Sequence, residues 1–150
     1  MIINTYDLRL NDERVGELVK EATVHHADID RIRNPEDAAK IFDKLFDLSN
    51  RTQELFVMLA LNISNKVTGA FEVARGTLTS SLVHPREIFI RAILSGAASI
   101  IVAHNHPSGE LDISAEDFKV TARIREAGEL LGIRLFDHLV IAGGSHVSVE

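Results

Sequence analysis

Two histidines, a serine and an aspartate form the group of residues in this sequence best suited to chemistry. His104 and His106 follow an apolar run at residues 97–102, and a Pro-Ser-Gly turn comes directly after them. The loop ends at Ser114, where a helical pattern begins with Asp117 in its first turn. Two imidazoles and one carboxylate are a ligand set of catalytic zinc sites, in which the fourth position is left for water.

The predicted local structure allows these side chains to converge. In a strand, residues two apart point to the same side, so His104 and His106 could face one atom. A helix N-terminus would bring Asp117 to the same point, with Ser114 one turn earlier. An alternative interpretation is structural, because Ser114-x-x-Asp117 also resembles a helix capping box. Cap formation requires no histidines upstream, so the combination favours a metal site.

Composition limits the other classes of function. The chain has 150 residues, of which 45% are hydrophobic, which is enough for one globular domain with a real core. It has no cysteine, which excludes disulfides, zinc–thiolate sites and a cysteine nucleophile. The net charge of −6 disfavours binding of this domain alone to a nucleic-acid backbone. We see no secretion signal and no membrane-spanning run, and we therefore predict a cytoplasmic protein.

The order of predicted elements indicates an α/β fold with a mixed sheet. Asn34-Pro35-Glu36-Asp37 has the capping Asn, the proline and the acids that begin a helix. From there the pattern predicts helix, strand, strand, helix, strand, helix, strand and strand, with the helices on both faces of the sheet. Two strands show no polar alternation, so we expect these of their residues to be inaccessible: Leu55, Val57, Leu59, Ile100, Ile101 and Val102. The inward helix faces are predicted to include Ile93 and Leu131.

The beginning of the chain has the least distinct pattern. Residues 12–21 are predicted to form a short helix with Val15, Leu18 and Val19 on one face. We therefore divide the chain into a partly helical N-terminal extension, residues 1–33, and one domain, residues 34–150. His25 and His26 are interpreted as surface residues.

The motif resembles a known family. His104-x-His106, seven residues, Ser114, two residues and Asp117 match the JAMM (MPN+/JAB1) metalloprotease motif at every required position. The surrounding sequence looks like the bacterial RadC-type branch in three places, which are 83–87 (Val-His-Pro-Arg-Glu), 104–109 (His-Asn-His-Pro-Ser-Gly) and 137–138 (Asp-His). The resemblance covers residues 34–149 and implies the JAB1/MPN fold, which is related to cytidine deaminases. RadC proteins typically carry a helix-hairpin-helix region as well, which residues 1–33 are too short to contain, so the sequence resembles a short RadC-like form.

The resemblance also implies roles for individual residues. It places Zn²⁺ on His104, His106 and Asp117, and it requires an upstream glutamate that takes a proton from the zinc-bound water. Glu54 is favoured because it precedes an apolar run at the start of the first core strand, as the family's catalytic acid does. Ser114 would donate a hydrogen bond to the developing oxyanion. The alternatives to Glu54 are Glu72 and Glu87, while His84, Asn105, Ser108 and His138 are interpreted as structural.

These features favour a zinc-dependent hydrolase of peptide or isopeptide bonds, acting on a peptide or protein substrate. The main alternative is a DNA-repair accessory protein or metallonuclease of the RadC type. A zinc deaminase is disfavoured because such enzymes usually take thiolate ligands. A metal-free binding module is disfavoured because all the ligand positions are intact. We expect specificity to depend on a partner or on self-assembly into a homo-oligomer, since the chain has little room for substrate-binding insertions.

Overall fold

A mixed sheet of seven strands organises the part of the chain that the structure describes, residues 1–79 and 81–149 of a computed structural model. The strands are β1 (Ile2–Leu10), β2 (Gly16–His25), β3 (Leu55–Leu61), β4 (Val67–Arg75), β5 (Ser99–Asn105), β6 (Arg134–Ala142) and β7 (Ser145–Ser148). The helices are α1 (Pro35–Phe46), α2 (Pro85–Leu94) and α3 (Ala115–Leu131), with a 3₁₀ turn at Leu48–Asn50. The strand order β2-β1-β4-β3-β5-β6-β7 puts β3 and β5 in the middle.

The sheet is covered on both faces, as predicted. One apolar cluster joins α1 to alternate residues of β3, β5 and β6, including Phe42, Leu59 and Ile101. A second cluster joins α2 and α3 to the intervening strand residues, which face the other way and include Met58 and Val102. The six strand residues expected to be inaccessible are at most 1% exposed. We call these faces the α1 side and the α2/α3 side.

The helices begin and end where their capping residues stand. Asn34 accepts a hydrogen bond from the Asp37 amide at 2.9 Å, which confirms the predicted start of α1. At the end of α3, Gly132 adopts a left-handed backbone (φ 72°). The predictions for Ile93 and Leu131 were wrong, because they are 57% and 49% exposed. Both lie in the last turn of their helices, and Ile133, just after α3, takes the inward position instead.

The prediction of a short helix at residues 12–21 was wrong. The segment contains the turn and second strand of a hairpin in which β1 and β2 pair antiparallel, and β1 continues the sheet beside β4. The turn is built by Asn11, whose Oδ1 accepts the amide hydrogens of Glu13 and Val15. An Asn side chain that holds a turn in this way competes directly with a helix.

No helix in the described part of the chain is long and apolar enough to cross a membrane.

Candidate metal centre

Strand β5 carries the two histidines to the end of the sheet. It pairs antiparallel with β3, where Phe56 lies opposite His104, and parallel with β6. His104 is 1% exposed and stacks on the Phe56 ring, with 6.2 Å between ring centroids. His106, two residues further on, is partly exposed where the strand gives way to the loop. Both imidazoles therefore lie on the α2/α3 side, one at the edge of the core and one partly exposed to solvent.

Helix α3 supplies the carboxylate. Ser114 and Asp117 form a capping box, in which the Asp117 amide donates to Ser114 Oγ (3.1 Å) and the Ser114 amide donates to Asp117 Oδ2 (2.9 Å). The cap fixes the Asp117 side chain so that Oδ1 lies 3.1 Å from His104 Nε2. The capping and metal-site interpretations of this segment are therefore compatible, because the cap holds the carboxylate against the histidines.

The spacing of the three groups fits a metal ion. His104 Nε2 lies 3.1 Å from His106 Nε2 and from Asp117 Oδ1, and His106 Nε2 lies 3.5 Å from Asp117 Oδ2. Ligand atoms about 2.0–2.1 Å from a tetrahedral metal ion lie about 3.3 Å from one another. His104, His106 and Asp117 could thus hold one metal ion with little movement of the chain.

The protonation of two ligands suits this arrangement. His106 Nδ1 lies 2.9 Å from the carbonyl oxygen of Glu110, which can only accept, so in the neutral ring the hydrogen is on Nδ1 and Nε2 carries the lone pair. Burial alone would raise the pKa of Asp117. Close contact with the His104 imidazole and hydrogen bonding to Ser114 outweigh burial and hold that pKa well below its usual 3.8, so the side chain is an ionised carboxylate.

Comparison with known proteins places this site in a family. The sequence profile described as "RadC-like JAB domain" matches residues 32–150. The chain belongs to the RadC-like JAB domain family. A UPF0758 protein of Clostridium perfringens (strain 13 / Type A) is 42% identical over 134 residues, which cover 89% of this chain and 58% of the relative. A UPF0758 protein of Bacillus pumilus (strain SAFR-032) is 48% identical over 130 residues, which cover 85% of this chain and 57% of the relative. The chain thus spans a little over half the length of these relatives.

Within this RadC-like JAB domain, the three candidate glutamates occupy different places. Glu54 directly precedes β3, and continuing the β3–β5 register would bring it opposite His106. It shares the side of Phe56 and His104, since residues two apart in a strand share a face. It is partly buried, and its Oε2 accepts the amide hydrogen of Leu78 at 2.7 Å.

The other two glutamates have arginine partners. Glu72 lies opposite Val57, on the α1 side, and its Oε1 is 2.6 Å from Arg75 Nη2. Glu87 lies in the first turn of α2, with its Oε2 3.2 Å from Arg91 Nη1. The side of the sheet therefore favours Glu54 over Glu72, and the ion pair of Glu87 with Arg91 favours Glu54 over Glu87.

Asn105, interpreted as structural from the sequence, holds the segment that carries Glu54. It is 1% exposed, its Nδ2 donates to the carbonyl of Gln53 (2.9 Å), and its Oδ1 accepts from the amide of Leu55 (2.7 Å). These two bonds hold the backbone on either side of Glu54. An asparagine between the two histidines was the available sequence signal, but its partners are about fifty residues away in the chain.

The two histidines interpreted as structural from the sequence, His138 and His84, both form side-chain hydrogen bonds. His138, on β6, is fully buried, with its Nε2 2.8 Å from His104 Nδ1. Burial is the main reason that the pKa of His138 is well below its usual 6.5, and the neighbouring His104 is the second reason. His84 caps α2, because its Nδ1 accepts the amide hydrogen of Arg86 (3.1 Å). Thr121, which also contacts His138, was not singled out by the sequence because it lies within an ordinary helical pattern.

Proposed function

We propose that this domain is a zinc-dependent hydrolase of peptide or isopeptide bonds. The observation that carries the proposal is the convergence of His104, His106 and Asp117 within metal-ligand distance, in a chain of the RadC-like JAB family. Two imidazoles and one carboxylate leave a fourth tetrahedral position free, which is the arrangement of catalytic rather than structural zinc sites.

Zinc is the metal that the ligand set favours. Imidazole nitrogen together with a single carboxylate suits zinc better than magnesium or calcium, which prefer oxygen ligands throughout. A zinc ion bound there would polarise a carbonyl oxygen and lower the pKa of a water molecule to about 7, so that the water could attack at neutral pH.

Glu54 is assigned as the general base. It would take a proton from the attacking water and later deliver it to the departing amine as a general acid. Its register opposite His106 and its partial burial support this role. The hydrogen bond from the Leu78 amide to Oε2 leaves Oε1 for the proton transfer. Asn105 would keep the carboxylate in place through its bonds to the flanking residues.

Ser114 is assigned as the oxyanion donor. Its Oγ accepts the amide hydrogen of Asp117, which leaves the hydroxyl hydrogen for another partner. The residue is exposed beside the ligand Asp117, where the carbonyl oxygen of a substrate could reach it. A hydrogen bond at this position would stabilise the negative charge that develops as water adds to the amide carbon.

The substrate class follows from exposure and charge. The loop after His106 is exposed at residues 107–110, so a chain-like substrate could approach the site from solvent. The net charge of −6 favours a peptide or protein over DNA. We expect a partner or a second copy of the chain to contribute to selection of that substrate.

The test combines metal content with cleavage. The purified protein should contain about one zinc ion per chain, as one three-ligand site requires, and should cleave peptide or isopeptide-linked substrates only with zinc bound. A His104→Ala/His106→Ala variant is the control. If the native protein binds zinc no better than this variant, the site assignment is wrong. Zinc-dependent cleavage of DNA alone would favour the metallonuclease alternative.

A further inference from the structure

A chain of buried hydrogen bonds runs behind the ligand His104. Its Nδ1 lies 2.8 Å from His138 Nε2, and His138 Nδ1 lies 2.5 Å from Thr121 Oγ1. Thr121 Oγ1 in turn donates to the backbone carbonyl of Asp117 at 2.8 Å. This series of hydrogen bonds therefore begins at one proposed metal ligand, His104, and ends at the backbone of another, Asp117. It connects β5, β6 and α3, and all four residues are at most 4% exposed.

The direction of these hydrogen bonds is set at the Thr121 end. A carbonyl oxygen can only accept, so the single hydroxyl hydrogen of Thr121 is directed to the carbonyl of Asp117. The hydroxyl oxygen is then an acceptor towards His138, and the hydrogen between them must be on His138 Nδ1.

The charge of His138 determines whether its Nε2 donates to His104 Nδ1 or accepts from it. Its side chain is fully buried against His104, Thr121 and the Phe56 ring. A buried imidazolium without a carboxylate partner would carry a large desolvation cost, so the ring is neutral. With its hydrogen on Nδ1, His138 has a lone pair on Nε2 and must accept from His104 Nδ1–H. His104 Nε2 is then left with the lone pair that faces His106 and Asp117.

We propose that His138 and Thr121 are positioning residues that fix His104 in its Nδ1–H tautomer and thereby raise the affinity of the site for zinc. This inference rests on the proposed function. The opposite tautomer would point a hydrogen from Nε2 into the site and block the ligand atom. His106 reaches the same tautomer through the Glu110 carbonyl, whereas His104 reaches it through two intervening side chains.

The test removes the hydroxyl group of Thr121, which accepts the hydrogen bond from His138, without changing the volume of the side chain. Thr121→Val keeps the volume and deletes the hydroxyl, Thr121→Ser keeps the hydroxyl, and Thr68→Val makes the same change on β4. Zinc affinity is measured by competition with a chromogenic chelator. We expect Thr121→Val to weaken zinc binding by about 10–100-fold, the usual effect of losing a hydrogen-bond partner of a metal ligand. Thr121→Ser and Thr68→Val should bind zinc as the native protein does.

A second measurement is independent of the zinc assay and of any variant. Nitrogen-15 NMR of the metal-free native protein, at a pH where the rings are neutral, reports the tautomer of each histidine. We expect His104 with its hydrogen on Nδ1, and a mixture of tautomers in Thr121→Val. A hydrogen on Nε2 of His104 in the native protein, or unchanged zinc affinity in folded Thr121→Val, would overturn the proposal. If the native protein shows the predicted tautomer but binds no zinc, the zinc function fails and the tautomer assignment survives.

Discussion

The two sides of the central sheet use the same strands for different purposes. Among the residues that the structure describes, nineteen buried apolar residues form the core of the α1 side. Two buried polar side chains, Ser99 and Asn105, lie on this side at the two ends of β5. The α2/α3 side has an apolar core as well, but beside it His104, Asp117, Thr121 and His138 are buried and hydrogen-bonded to one another. The α1 side is stabilised mainly by apolar packing, while the α2/α3 side must also satisfy a cluster of buried polar groups.

This difference predicts that substitutions on the two sides affect different properties. Packing on the α1 side should determine the free energy of unfolding. The polar cluster should determine metal binding and catalysis, with a smaller effect on unfolding.

The largest effect on stability is expected on the α1 side. Phe42 is fully buried against the sheet, so Phe42→Ala should lower the free energy of unfolding by about 3–5 kcal/mol, as for other buried aromatic residues. Denaturant titration measures this change. The folded fraction should still bind zinc with native affinity, and a loss of zinc binding there would contradict the separation of the two sides.

The largest effect on activity is expected at Glu54. Glu54→Gln keeps the shape and removes the base, so hydrolysis should fall at least about 100-fold, the low end for general-base catalysis. Zinc content and the unfolding midpoint should stay close to native. Glu72→Gln and Glu87→Gln are the matched controls and should retain activity. An inactive, zinc-loaded Glu72→Gln or Glu87→Gln variant would place the base elsewhere.

Removal of zinc should destabilise the α2/α3 side more than the α1 side. A ligand present at 100 times its Kd stabilises the folded state by about 2.7 kcal/mol, and chelation removes that stabilisation. Hydrogen exchange should accelerate mainly at residues 106–117, which hold the ligand loop and the α3 cap, while α1 keeps its protection. Equal acceleration in α1 would show that the metal stabilises the whole fold uniformly.

The features that sequence predicted correctly are those with local or strictly periodic signals. β3 and β5 were predicted because they are apolar at successive positions, which requires burial on both faces. The start of α1 followed from the capping residue Asn34. The convergence of His104, His106 and Asp117 followed from their spacing, because a strand end and a helix start each fix the direction of a side chain, whereas metal binding itself stays a prediction.

The features that sequence missed depend on partners distant in the chain. Val15, Leu18 and Val19 have helical spacing, yet they lie in or next to an edge strand, because Asn11 holds a turn and β1 provides a partner. The contact between Thr121 and His138 was also missed, because only the packing of α3 on β6 brings the two residues together. Tertiary contacts of this kind override local propensity and leave no periodic signal.

The smallest effect is expected at Leu131, where the helical pattern predicted burial and the structure shows a side chain that is 49% exposed. Leu131→Ala should therefore cost about 1 kcal/mol or less, in the range of surface substitutions. Ile124→Ala, on the buried face of the same helix, should cost about 2–5 kcal/mol because it leaves a cavity. Leu130, which is 87% exposed, gives the matched control for loss of a leucine from the helix surface. If denaturant titration shows Leu131→Ala to be as destabilising as Ile124→Ala, the last turn of α3 is packed in solution as the sequence pattern predicted. A cost close to that of Leu130→Ala would instead confirm that Leu131 lies outside the apolar core on the α2/α3 side, with Ile133 in the inward position.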